Sequence, residues 1–143
     1  MGLFDKIFGG KQEEYPLLDP ASPLNEHLGT VKSPLETLAR QVSDRIEIVP
    51  CRDKAYVFVG KPPKDFGVAW IENGKVNNFR KLVEDRKIPM PRYQLLSDRL
   101  REAYEKSSGA SRFVTSLGNR KVFVTESETL GKEVQEVIGE ASA

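Results

Sequence analysis

The run Ala55-Tyr56-Val57-Phe58-Val59, followed by Phe66-Gly67-Val68-Ala69-Trp70-Ile71 and then by Asn73-Gly74, decides the fold class. Both apolar runs are short, rich in β-branched and aromatic residues, and bounded by Gly, Pro or charged positions. That is the pattern of strands. Just upstream, Ile46 and Ile48 alternate with polar neighbours and predict another strand. Asn73-Gly74 lies between Ile71 and Val76 and predicts a two-residue turn, so the third strand doubles back briefly.

On either side the period becomes helical. Ser22-Pro23-Leu24 and Ser33-Pro34-Leu35-Glu36 each place a serine N-cap before a proline at the first helical position, and Glu36 completes a capping box with Ser33. Leu24, Leu28, Val31, Leu35, Leu38 and Val42 form one apolar seam. A break is expected near Ser33, because proline costs about 3 kcal/mol inside a helix. Beyond the turn, Asn77 and Asn78 can cap a helix carrying Phe79, Leu82 and Val83. Pro89 and Pro91 interrupt, and a longer helix carries Tyr93, Leu96, Leu100, Ala103 and Tyr104 as far as Gly109. Phe113-Val114-Thr115 and Val122-Phe123-Val124 form a second hairpin around Leu117-Gly118-Asn119-Arg120. The last helix is expected to begin with a Thr125–Glu128 capping box, to bury Leu130, Val134, Val137 and Ile138, and to stop at Gly139.

The order α-βββ-αα-ββ-α predicts the α+β class, with a largely antiparallel sheet of five or six short strands and flanking helices. For 143 residues one domain is expected. It spans 23–139, after an amphipathic N-terminal peptide (1–10) and a flexible linker (11–22), and before a disordered tail (140–143). In element order alone, over residues 33–139, the chain resembles the type III secretion chaperone-like fold. The resemblance implies a twisted sheet carrying helices and a tendency to dimerise, and it assigns no functional residue.

Candidate chemistry is sparse. A single cysteine, Cys51, excludes an internal disulfide and a cysteine-based zinc site, and a single histidine, His27, excludes multi-histidine metal sites. His27 lies beside the seam and reads as an exposed helical histidine. Cys51, in Pro50-Cys51-Arg52-Asp53-Lys54, reads as a thiol in a turn. An enzyme using Cys51 or His27 is the least favoured alternative, since a nucleophile needs its base within hydrogen-bond reach and none is legible beside Cys51. Gly60-Lys61-Pro62-Pro63 follows a strand but lacks the glycines and the helix N-terminus of a phosphate loop. The expectation is a non-enzymatic protein without cofactor or metal.

Charge is unevenly spread. Residues 1–50 hold five basic and eight acidic side chains, residues 51–121 sixteen and eight, and residues 122–143 one and five, so the net +1 hides a basic middle. The excess within block 75–121 suggests an anion-binding or nucleic-acid-binding face at Arg80, Lys81, Arg86, Lys87, Arg92, Arg120 and Lys121. No nucleic-acid motif accompanies it.

At the N-terminus Leu3, Phe4, Ile7 and Phe8 fall on one side of a helix that Gly9-Gly10 would end. A helix this short is unstable alone in water, so the stripe is expected to dock on a protein partner or a membrane face. Lys6 occupies the Ser or Thr position of a myristoylation signal, which the segment therefore lacks. No leader of the secretory kind is legible, and the expected location is the cytoplasm, with peripheral membrane contact as an alternative. The expected activity is that of a small binding or adaptor domain, chaperone-like in the alternative, with homo-oligomerisation left open.

Overall fold

The computed structural model describes residues 15–51 and 54–143. Two helices, α1 (Pro23–Thr30) and α2 (Lys32–Gln41), precede four strands, β1 (Ile46–Cys51), β2 (Lys54–Lys61), β3 (Asp65–Glu72) and β4 (Lys75–Asn78). Then come α3 (Phe79–Asp85), α4 (Met90–Lys106), a 3-10 turn over Ser107–Gly109, β5 (Ser111–Leu117), β6 (Arg120–Glu126) and α5 (Glu128–Ser142). The class is α+β, with one six-stranded sheet in the order β4-β3-β2-β1-β6-β5. Every neighbouring pair is antiparallel except β1 and β6, which run parallel.

Strand alternation sends side chains to two covered faces. Ile46, Ile48, Val57, Ile71, Val122 and Val124 meet the seam of α1 and α2, in which Leu24, Leu28, Val31, Leu35 and Leu38 are all buried. Val49, Tyr56, Phe58, Val68 and Trp70 face α3, α4 and α5, which contribute Phe79, Leu96, Leu100, Leu130, Val134 and Val137. At Gly131 α5 comes so close to β1 that an added Cβ would lie 2.5 Å from Cys51 Sγ.

Asn73 and Gly74 take φ of 54° and 76°, the backbone that the two-residue turn demands, and the Asn78 side chain caps α3 by accepting from Lys81 N–H at 2.7 Å. Three boundaries differ from the sequence reading. The break between α1 and α2 falls at Val31, and α2 starts without a side-chain cap, so the Ser33–Glu36 box does not form. Pro34 is instead absorbed in the first turn of α2, where backbone N–H groups have no intrahelical partner to lose. Ser127, not Thr125, caps α5 by accepting from Leu130 N–H at 3.0 Å, because Thr125 stays in β6. Finally, α5 runs through Gly139 to Ser142 and buries Ala141, so a helical turn replaces the disordered tail expected over 140–143.

The connector ahead of α1 is also structured where it is described. Val114 N–H donates to Pro16 O at 2.9 Å and Leu18 N–H donates to Val114 O at 2.8 Å, which sets Leu17 in parallel register with Val114 on the outer edge of β5. Leu18 is buried with the α1–α2 cluster, a contribution of about 1.5–3 kcal/mol. Tyr15 meets Phe123 edge-on, with ring centroids 6.0 Å apart. This strap, Tyr15–Leu18, grips both faces of the sheet, whereas a flexible linker was expected. Residues 11–14 of that linker lie outside the described residues.

A buried charged cluster lies between the sheet and α4. Glu47, on β1, is fully buried. Its Oε1 accepts from Arg45 at 3.0 Å and from the Tyr104 hydroxyl at 2.7 Å. Its Oε2 accepts from Arg112 Nε at 2.9 Å and from the Thr125 hydroxyl. Arg112 also donates to Ser107 O at 2.9 Å and to Ser107 Oγ at 3.0 Å. Burial pushes the Glu47 carboxyl up. The Thr125 and Tyr104 hydroxyls and the charges of Arg112 and Arg45 outweigh it and hold the group below the usual glutamate value. Burial and the neighbouring Glu47 charge push Tyr104 up to about 12.

Two pH limbs follow. The Glu47 contribution is complete above the ordinary glutamate value of 4.5 and disappears as pH falls through the lower folded value. The Tyr104 contribution is complete below its ordinary value of 10.0 and disappears as pH rises towards about 12. Denaturant titrations at stepped pH should show both. Glu47→Gln should cost about 3–5 kcal/mol at neutral pH by leaving Arg112 uncompensated, and should flatten the acid limb. Gly131→Ala should cost about 1–3 kcal/mol by overpacking. In a Cys51→Ala background the same change should turn stabilising by up to about 1 kcal/mol, since alanine is the better helix former. A cost that persists without the sulfur would refute the contact.

Candidate docking site

The strap is the described segment nearest to the N-terminal stripe. Two main-chain bonds and one buried leucine fix the chain at Tyr15–Leu18 beside β5. The stripe residues Leu3, Phe4, Ile7 and Phe8 lie outside the described residues. Within the strap, Leu17 is 79% exposed. Pro16 brings no N–H, so the outermost stretch of chain is a poor template for a further strand.

The structure divides the basic residues. Arg80 and Lys81 lie on α3 and pair with Glu84 at 3.6 Å and Asp85 at 3.4 Å. These are exposed pairs, worth about 0.3–0.5 kcal/mol each. Arg86 and Lys87 follow the end of α3 and are exposed. Arg92 donates to Glu140 O at 2.9 Å, joining α4 to α5. Arg120 donates to Ala39 O at 2.9 Å, to Val42 O at 2.6 Å and to Asp44 O, which satisfies carbonyls at the C-terminal end of α2. Lys121 lies 5.5 Å from the Phe123 ring centroid. Strands β2 and β1 separate β3, on which α3 packs, from β6, which carries Arg120 and Lys121. The α3 cations therefore make one patch, and Arg120 belongs to the scaffold.

His27 and Cys51 line a common cleft of about 800 Å³ with Lys54, Tyr56, Glu126 and Lys132. His27 is half-buried there and not exposed as the sequence suggested. The two residues approach from opposite sides. His27 rides on α1, over one face of the sheet, while Cys51 packs with the α5 cluster on the other. Among the described residues no group of three or more His, Cys, Asp or Glu side chains could hold a metal ion, and no helix is long and apolar enough to cross a membrane.

The sequence reading missed the Glu47 cluster and the strap. Both depend on partners distant in the chain: Arg112 lies 65 positions from Glu47, and Val114 closes the strap from almost the other end. All four hydrogen bonds that the Glu47 carboxylate can conveniently accept are made within the protein. That arrangement suits a structural role and leaves no lone pair for a substrate proton. Comparison of the chain with protein-family models, with curated proteins and with solved structures finds no match.

Proposed function

We propose that the chain is a small non-enzymatic binding domain that engages a protein partner through Leu3, Phe4, Ile7 and Phe8. The observation that carries this reading is the strap, which begins seven positions beyond Phe8 and anchors the chain at Tyr15–Leu18 to the outer edge of β5. A domain that fixes the base of an apolar segment can present that segment without threading it through its own core. Full burial of four such side chains contributes roughly 6–12 kcal/mol before the costs of ordering and immobilisation. The remainder suits a reversible contact. A protein groove fits better than an anionic bilayer, because Lys6 and Lys11 are outnumbered by Asp5, Glu13 and Glu14. The cytoplasm is the compartment proposed.

Replacing Leu3, Phe4, Ile7 and Phe8 together by serine tests the reading. Partner recovery from native lysate should fall about tenfold or more, the equivalent of about 1.4 kcal/mol, with the thermal midpoint unchanged because the strap is intact. Unchanged recovery would overturn the proposal. So would loss of sedimentation with anionic vesicles without any loss of protein capture, which would assign the stripe to a membrane surface.

A further inference from the structure

We propose that the outer edge of β5 is itself a strand-docking site, which the strap fills in the isolated chain. An extended segment of a protein partner takes it over, running parallel to β5 and carrying an aromatic residue three positions ahead of a leucine. The inference stands on the strap and β5 alone, independently of the apolar stripe at residues 3–8.

Strand β5 is seven residues long and pairs with β6 along its full inner side. On its outer side the strap meets it only at Val114, whose N–H and C=O both point outward. Successive residues of a strand direct these groups alternately to either side. Arg112 and Ser116 therefore share the outward direction of Val114, and among the described residues the strap bonds neither. The strap is a short occupant for structural reasons. Pro16 has no N–H to offer, and after Leu18 an Asx turn diverts the chain, with Ala21 N–H donating to Asp19 Oδ1 at 3.0 Å and Ser22 N–H to Asp19 O at 2.9 Å. A segment free of these two constraints can pair at Arg112, Val114 and Ser116 together.

The strap also shows which side chains fit. Leu18 enters the cluster under α1 and α2, while Tyr15 reaches the other face and sets its ring edge-on to Phe123, beside Arg45 and Lys121. Positions i and i+3 of an extended segment lie on opposite faces, as these two do. Leu17, 79% exposed, buries little of its side chain in the hold. The chemistry recognised is thus main-chain pairing plus one aromatic and one leucine, the division of labour found where peptides extend a sheet edge.

The test uses the full chain, unchanged or carrying Leu18→Ala to loosen the strap, and a fluorescent peptide spanning residues 15–22 with Pro16→Val, Asp19→Lys and Pro20→Thr, which removes both constraints. The peptide should bind the Leu18→Ala chain about tenfold or more tightly than the unchanged chain, since a mostly closed edge lowers the apparent affinity by the fraction open. Hydrogen exchange at the Val114 amide should be slow in the unchanged chain, fast in Leu18→Ala, and slow again once peptide is added. A peptide with aspartate at the Leu18 position should not bind. If Leu18→Ala fails to fold, Tyr15→Ala replaces it, since that half-buried ring is the other side-chain hold of the strap. No binding while Val114 exchanges fast, or equal binding by both chains, overturns the proposal. A concentration-dependent dimer of the loosened chain in sedimentation velocity, abolished by the peptide, assigns the edge to a second copy and overturns the partner segment.

Discussion

A carboxylate with no exposure to water can be kept charged only if the protein supplies what water would have supplied, and Glu47 obtains it from four separate parts of the chain. Arg45 comes from the approach to β1, Tyr104 from α4, Arg112 from β5 and Thr125 from β6. Moving a carboxylate into the interior costs several kcal/mol, and only good geometry with every lone pair engaged repays it. The cluster is consequently more demanding than the apolar layers around it. A one-residue slip of β6 against β1 would turn Thr125 to the opposite face, and a rotation of α4 would withdraw the Tyr104 hydroxyl. The apolar core favours a compact sheet between two helical layers. The polar cluster selects among the compact arrangements the one in which β6 lies parallel to β1.

That selection determines what happens at the two ends of the sheet. Once β6 occupies the place beside β1, β5 becomes an outer strand, and its edge groups need water or a partner. The opposite edge is the four-residue β4, short enough to offer little template. The β5 edge is longer and receives the strap. The two ends differ because β1 to β4 form a local meander, whereas β5 and β6 return from the far side of α4.

Much of the fold is legible in the sequence because its signals are local. The apolar runs at residues 55–59 and 66–71, the Asn73-Gly74 turn, the Asn78 cap and the six-residue seam from Leu24 to Val42 each depend on neighbours within a few positions. What was illegible is non-local. Glu47 between two isoleucines looks like the outward residue of a half-buried strand, and only Arg112 and Tyr104, brought in by tertiary structure, make its inward direction tolerable. Thr125 looked like an N-cap for the same reason: its hydroxyl has a local use and a long-range one, and the buried carboxylate takes it. Pro16 and Pro20 in the connector argue locally against a long strand. They could not reveal that a single residue pair would suffice to dock it, because the deciding partner, Val114, is almost a hundred positions away. The basic block shows the same limit: Arg120 counts as surface charge in the sequence, but in the fold its guanidinium is occupied by three carbonyls around the end of α2.

These arrangements narrow where function can reside. Glu47, Arg112 and Tyr104 have the burial and displaced pKa values that often mark active sites. Here each shift has a structural cause inside a cluster whose carboxylate is already fully bonded, and a group that must stay ionised to hold β1, β5, β6 and α4 together is poorly suited to exchanging protons in a reaction cycle. The opposite holds at the strap. Its hold rests on two main-chain bonds, one buried leucine and one edge-on ring contact, the scale of interaction that an incoming segment can replace without disturbing the carboxylate cluster beneath. On the proposed reading, binding would change the perimeter at the strap and leave the carboxylate cluster intact.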